Sequence, residues 1–424
     1  MSFFGTNRAQ AMFPLMVISM SDFSLTNDSF VQRFFYPMTN VIQNYAWGSP
    51  SSFSQLFGID NQSGEPQAEI WMGAHPNGCS IVTDNGQQTT LSNLISKNLN
   101  LFLSEKVASR FGELPYLFKV LAAEKALSVQ VHPNKQQAES GYALEEQQGI
   151  PMTAGNRNYK DPNHKPELVY ALTDYTAMNG FRSISEILDH FHYLDIPELH
   201  SMVNDLAGDQ TPNGLASFFA SLLSLQGEQK GMALTMLLMK AKLSDAPVFQ
   251  LISELEQQYP GDVGLFAPLL LNVITLKPGQ AMYLDAETPH AYIKGTGLEV
   301  MANSDNVLRA GLTPKYMDIN ELVSCTQFNE KPADRLLLSP IEQGDVMEYQ
   351  IPVEDFKFSI VQNSHQRKIT TEGAEILLPL DESMVLTHQC GETCVIEKGQ
   401  SVFIPAYAES YKLDCVGRVA RAYS

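Results

Sequence analysis

The hydrophobic pattern of this chain changes period twice. From Asn40 to Tyr175 short alternating runs separated by turn residues predominate, among them AEIWMGAHPNGCSIV, LPYLFKVLAA, ALSVQVHPN and PELVYALTDY, which is strand spacing. Between Ser183 and Leu271 the runs SISEILDHFHYL, SFFASLLSL, QKGMALTMLLMKAKL and PVFQLISELEQQY carry helical spacing instead, and Ser183 with Glu186 has the spacing of a capping box. Strand patterns return at LNVITLKPGQAMYLDAETPH and continue to the C-terminus. The pattern predicts a mainly β protein with a block of about six short helices inserted into it.

At 424 residues the chain is too long for one ordinary core, so two or three domains are expected. A net charge of −19 opposes binding to nucleic acid or to an anionic membrane. A phosphorylated metabolite would need a few local Lys or Arg residues to override that field. Five scattered cysteines do not form a disulfide framework, and CGETC (390–394) lacks a second metal-ligand pair, so thiols in a reducing cytoplasm are expected. No stretch approaches the roughly 18–20 apolar residues of a membrane helix. Residues 1–38 read as a loosely ordered extension or a mis-assigned start, with Met20 and Met38 as candidate true starts; Pro14 interrupts their apolar patch and no cleavage site follows,.

A weak repeat lies in the second strand region. KPGQAMYLDAETPH (277–290) aligns without gaps on EKGQSVFIPAYAES (397–410), with Gly279 on Gly399, Tyr283 on Phe403, Leu284 on Ile404 and His290 on Ser410. Each copy is a turn, an alternating strand and a second turn, the grammar of a jelly roll. Two jelly rolls, the second lacking a potential metal ligand, are one reading; two unrelated hairpins with similar turns are the other.

In LSVQVHPNK (127–135) the alternation places Gln130 and His132 on one strand face, about 7 Å apart, and Pro133 should end the strand. Glu167 and His290 sit at other strand edges beside prolines. Two imidazoles and a carboxylate suit zinc or iron(II), with the Gln130 amide as a fourth ligand; a half-solvated strand face is the alternative. Lys135, Lys165, Arg309 and Lys315 lie near these residues in sequence and would suit a substrate phosphate or an oxyanion, or are solvated loop charges. His190, His192 and His200 are expected on the wetted face of the helical block, and Trp47 and Trp71 in packing or pocket walls.

The motifs QNYAWGS (43–49), AEIWMGAHP (68–76), SVQVHPNK, YKDPNHKPEL, MNGFR and PHAYIKGTGLEVMANSDNVLRAGLTPK together resemble those of the type I mannose-6-phosphate isomerase (phosphomannose isomerase) family of the cupin superfamily. The resemblance runs from about Thr39 to the C-terminus. It implies a zinc-binding cupin catalytic domain (39–182 and 264–324), a helical insertion (183–263) and a C-terminal jelly roll lacking metal (325–424). It implies that Gln130, His132, Glu167 and His290 hold one zinc ion and that Arg309, Glu299 and Lys165 are catalytic. Lys315, Lys135, Tyr292, Asp305, Glu69, Trp47 and Ser128 are implied to bind substrate. The implied activity is interconversion of mannose 6-phosphate and fructose 6-phosphate by a cytoplasmic monomer or dimer acting on a small sugar phosphate. A metal-dependent cupin oxygenase and a non-catalytic sugar-phosphate-binding cupin are the alternatives.

Overall fold

A computed structural model describes residues 33–424. The strands form two antiparallel rolls. In the first, a ten-stranded sheet runs in the order Leu271–Leu276, Tyr175–Phe181, His290–Ala302, Tyr116–Ala123, Glu69–Met72, Val41–Gln43, with Ala281–Leu284, Glu167–Ala171, Gln130–Val131 and Leu308–Arg309 attached beside this path. The long strand His290–Ala302 turns the corner of the roll. Its first half pairs with Tyr175–Phe181 and Gln130, and its second half, from Gly295, pairs with Tyr116–Ala123 and Glu167–Ala171. Gly295 makes the corner possible: its φ is 123°, and a Cβ there would stand 2.4 Å from the Asp174 carbonyl oxygen,.

The second roll packs a nine-stranded sheet and a four-stranded sheet built mostly from Ile341–Tyr423. The aligned repeat residues begin equivalent strands in the two rolls: Ala281 and Ser401 open one pair, His290 and Ser410 the other. The repeat is therefore a repeat of structure.

The N-terminal boundary is corrected. Tyr36–Thr39 is a strand paired with Ser401–Phe403 on one side and Ile81–Val82 on the other. Phe35, Tyr36 and Met38 are buried, so residues 33–38 are not a loose appendage, and a chain starting at Met38 would lack part of the second roll's core. The expectation for residues 1–32, including Met20, lies outside the described residues.

Six α-helices fill the helical stretch between Ser183 and Leu271: Ile184–Leu194, His200–Gly208, Pro212–Leu223, Gly227–Lys242, Pro247–Gln258 and Ala267–Leu270. Ser183 and Glu186 form the reciprocal capping box that starts the first,. Among the three histidines, His192 and His200 are exposed, but His190 is half-buried with Nδ1 3.3 Å from the Leu269 carbonyl.

The inner faces of the helices, with Ile187, Phe191, Phe218, Leu222 and Ile252, share one core with Val129, Val131, Leu308 and Ala310 of the first roll. This contact positions the site. Burying Val129 and Val131 under the helices stabilises each by about 1.5–3 kcal/mol and turns the intervening residue, Gln130, to the opposite side. The regular strand there is shorter than expected, only Gln130–Val131. Leu127 and Val129 instead donate backbone bonds to the Tyr292 and Gly311 carbonyls on either side. The described cysteines are free thiols, and no described helix is long and apolar enough to cross a membrane.

Candidate active site

Sheet register assembles the site. Gln130 lies directly opposite His290 on one side and Arg309 on the other, and directly opposed residues project to the same face. Glu167, the first residue of its strand, lies opposite Leu284 and Met301. The donor atoms of His132, Glu167 and His290, all buried, come within 4.8 Å of one another.

Both imidazoles have defined tautomers. His132 Nδ1 is 2.7 Å from the Asn306 carbonyl and His290 Nδ1 is 2.8 Å from the Thr288 carbonyl. A carbonyl only accepts, so each Nδ1 carries the proton and each Nε2 turns a lone pair inward. Those atoms lie 3.3 and 3.4 Å from the two oxygens of Glu167, and His132 Nε2 is buried without a hydrogen-bond partner. Two lone pairs facing a carboxylate are mutually repulsive until a cation sits among them, so the donor set fits a divalent metal. Burial lowers His132, assisted by the Lys165 charge, to a pKa of about 4, which keeps it an available ligand. Burial would raise Glu167, but the Lys165 ammonium 3.0 Å away holds it well below the usual carboxylate range. Gln130 turns its amide nitrogen to Ser128 Oγ at 3.4 Å, which leaves the amide oxygen available as a donor atom.

The other expected residues distribute around this centre. Tyr292 donates its hydroxyl to Glu167 Oε2 at 2.7 Å, so it braces a ligand. Trp47 packs against the cluster containing Tyr292 and Tyr175 as a wall. Arg309 is half-buried, and among the described residues its guanidinium makes no hydrogen bond or ion pair; burial lowers its pKa. Burial and then the Arg309 charge lower exposed Lys315. Lys135 is turned elsewhere: its ammonium donates to the Pro162 carbonyl and Asn163 Oδ1. It lines a cavity of about 320 Å³ with Arg110, His164 and Asp355, which no residue of the triad lines.

Sequence reasoning missed three polar partners. Lys119 lies opposite both Glu299 and Trp71 in register, with Nζ 2.8 Å from Glu299 Oε2 and 3.7 Å from Glu69 Oε1. Burial would lower Lys119, but Glu299 and Glu69 outweigh it and raise its pKa. Burial raises Glu299; Lys119 partly offsets this and Glu167 adds to it. The Trp71 indole donates to Glu69 Oε2 at 2.6 Å. The signal was a lone lysine within the apolar run LFKVLAA, a residue that is almost never buried without a partner. His75 and Asn77 hold Asp305, at 3.4 and 3.0 Å. Lys160, lowered by burial and by Arg157 and Arg309, adds a cation on the Arg309 side.

A double β roll in which, among the described residues, one roll alone brings two inward imidazoles and a carboxylate together is a metal-centred cupin-type protein. Family models then match by domain: phosphomannose isomerase type I catalytic domain at residues 35–184, its helical insertion domain at 195–271, and the mannose-6-phosphate isomerase cupin domain at 345–424. The mannose-6-phosphate isomerase of Salmonella typhimurium is 47% identical over 390 residues, covering 91% of this chain and 99% of the relative. The human enzyme is 36% identical over 409 residues, covering 88% and 93%. A crystal structure of the Salmonella typhimurium enzyme bound to substrate and zinc superposes with a TM-score of 0.88 at 47% identity, over 92% of this chain and all of that one. This chain belongs to the type I phosphomannose isomerase family.

Proposed function

We propose that this chain is an aldose–ketose isomerase interconverting mannose 6-phosphate and fructose 6-phosphate, with one zinc ion held by His132, Glu167, His290 and Gln130. The observation that carries the reading is the pair of imidazoles turning unshared lone pairs onto Glu167, beside a buried Glu299 held by Lys119. When bound there, zinc supplies Lewis-acid polarisation of the sugar's hydroxyl and carbonyl oxygens.

Moving a proton between C2 and C1 requires a base that persists in a buried site. Glu299 takes that role, because the Lys119 ammonium at 2.8 Å supports its carboxylate against burial. Arg309, without a protein partner among the described residues, faces the charge that develops on the enediolate. Lys315 and Lys160 flank it as contacts for the phosphate. Lys165 is committed to Glu167, so its contribution runs through that ligand and through proton transfer next to it. Trp47, Glu69, Ser128 and Asp305 shape and line the sugar pocket. The catalytic unit is assigned to 39–182 and 264–324, the insertion to 183–263 and the metal-free roll to 325–424, joined by the strand Tyr36–Thr39, in a cytoplasmic protein acting as a monomer or a dimer.

The test is conversion of mannose 6-phosphate to fructose 6-phosphate in a coupled assay on protein as purified, after chelation, and after zinc is restored. Loss on chelation with recovery on zinc addition is expected. No turnover by fully zinc-loaded protein would overturn the reading.

A further inference from the structure

Asn306 is fully buried and ties its own turn to two other segments of the site at once. Its Oδ1 accepts from the backbone N–H groups of Lys160 at 2.6 Å and Asp161 at 3.2 Å. Its Nδ2 donates to the carbonyls of Asp161 at 2.7 Å and Asn163 at 2.9 Å. Its own carbonyl accepts the His132 Nδ1 proton at 2.7 Å. Ser304 Oγ accepts the Asn306 N–H at 3.2 Å and donates to the Asn163 carbonyl at 3.2 Å, which ties the same turn to the same loop a second time.

Only a primary amide satisfies this environment. Two donors and two acceptors are presented to it; a carboxylate lacks the donors and an apolar side chain lacks both. The loop it grips leads directly to Lys165 and Glu167, and the turn it belongs to leads to Arg309. The carbonyl that selects the His132 tautomer is thus fixed to the loop that delivers the carboxylate ligand.

We propose that Asn306 is the positioning residue of the metal centre, setting the His132 ring and the Glu167 loop against each other so that their donor atoms converge. The inference rests on the triad being the metal site. It does not depend on which substrate the chain acts upon, because its readout is metal affinity.

The experiment measures zinc affinity of the full chain by competition with a chromogenic chelator, alongside thermal melting and, at saturating zinc, kcat and KM. In Asn306→Asp the two donations become carboxylate–carbonyl repulsions while the acceptor contacts remain. Zinc affinity is expected to fall by about ten- to a hundredfold, the usual cost of losing an outer partner of a ligand, with kcat at saturating zinc affected more than KM. A purely architectural role would lower the melting temperature and leave the zinc affinity of the folded protein within about twofold of wild type, and that result overturns the proposal. Should Asn306→Asp not fold, Ser304→Ala decides. It keeps the amide and loosens the same turn, and a several-fold weaker zinc affinity is expected; unchanged affinity overturns the proposal.

Discussion

Glu375 occupies in the second roll the register position that Glu167 occupies in the first. Glu167 pairs with Leu284 and Glu375 with Ile404, and Leu284 and Ile404 are equivalent residues of the sequence repeat. Two residues along each strand the correspondence continues: Val169 pairs with Glu299, and Leu377 with Arg421. Ser410 pairs with Thr370 as His290 pairs with Gln130. The second roll has thus kept a buried carboxylate and replaced its ligating surroundings. The Arg421 guanidinium bonds both Glu375 oxygens, at 2.9 and 2.5 Å, and the Tyr411 hydroxyl donates at 2.7 Å. A fixed cation does there what a bound one does in the first roll.

Arg421→Met should therefore destabilise the protein by about 3–5 kcal/mol, because it strands a fully buried carboxylate. Replacing the pair together, Glu375→Leu with Arg421→Met, should recover much of that loss. Urea unfolding measures both, and zinc content should stay at one ion per chain in each. A single variant as stable as wild type would refute the assignment.

Arg309→Ala should lower kcat by about 10²–10³, the usual effect of removing one stabiliser of developing charge, without altering zinc content. Metal analysis beside steady-state kinetics separates the roles. Zinc lost in proportion to activity would make Arg309 structural.

Activity should fall on the acid side at a pH above the ordinary carboxylate value of 4.5. Burial raises Glu299, Glu167 adds to this and Lys119 only partly offsets it; a base must be ionised to act, so rate rises with pH through the raised pKa. Lys119→Met removes the opposing cation and should move that limb of the kcat profile further up. The stability term has the opposite sense. The folded state holds the Glu299 proton more tightly than the unfolded chain does, so this contribution is complete at low pH and is lost as pH rises through the folded pKa. An acid limb at or below 4.5 would remove Glu299 as the base.

Tyr292→Phe should weaken zinc binding by about ten- to a hundredfold, since it deletes the hydroxyl bracing Glu167. KM at saturating zinc should stay close to that of the parent. A raised KM with unchanged zinc affinity would return Tyr292 to substrate binding.

A chain beginning at Met38 should melt lower than one beginning at Arg33. It lacks Phe35 and Tyr36, both buried against the second roll, and losing a buried aromatic side chain costs about 3–5 kcal/mol. Thermal melts of the two truncations compare them directly.

The amino-acid sequence by itself determined the features that depend on near neighbours. The change of hydrophobic period marks the helical insertion, Ser183 and Glu186 cap its first helix, and similar turns place His290 and Ser410 at equivalent strand starts. The three donors of the triad were legible for the same reason, since His132, Glu167 and His290 stand at strand edges beside turn residues. Tertiary structure decided whatever depends on which distant strands lie side by side. Lys119 reads as an anomaly until register sets it against Glu299. His75 is an unremarked histidine until the chain returns with Asp305, and residues 33–38 look dispensable until Tyr36 pairs with Phe403. Strand pairing is chosen by the burial of whole faces at once, so no local window of sequence contains the charge pairs that it creates.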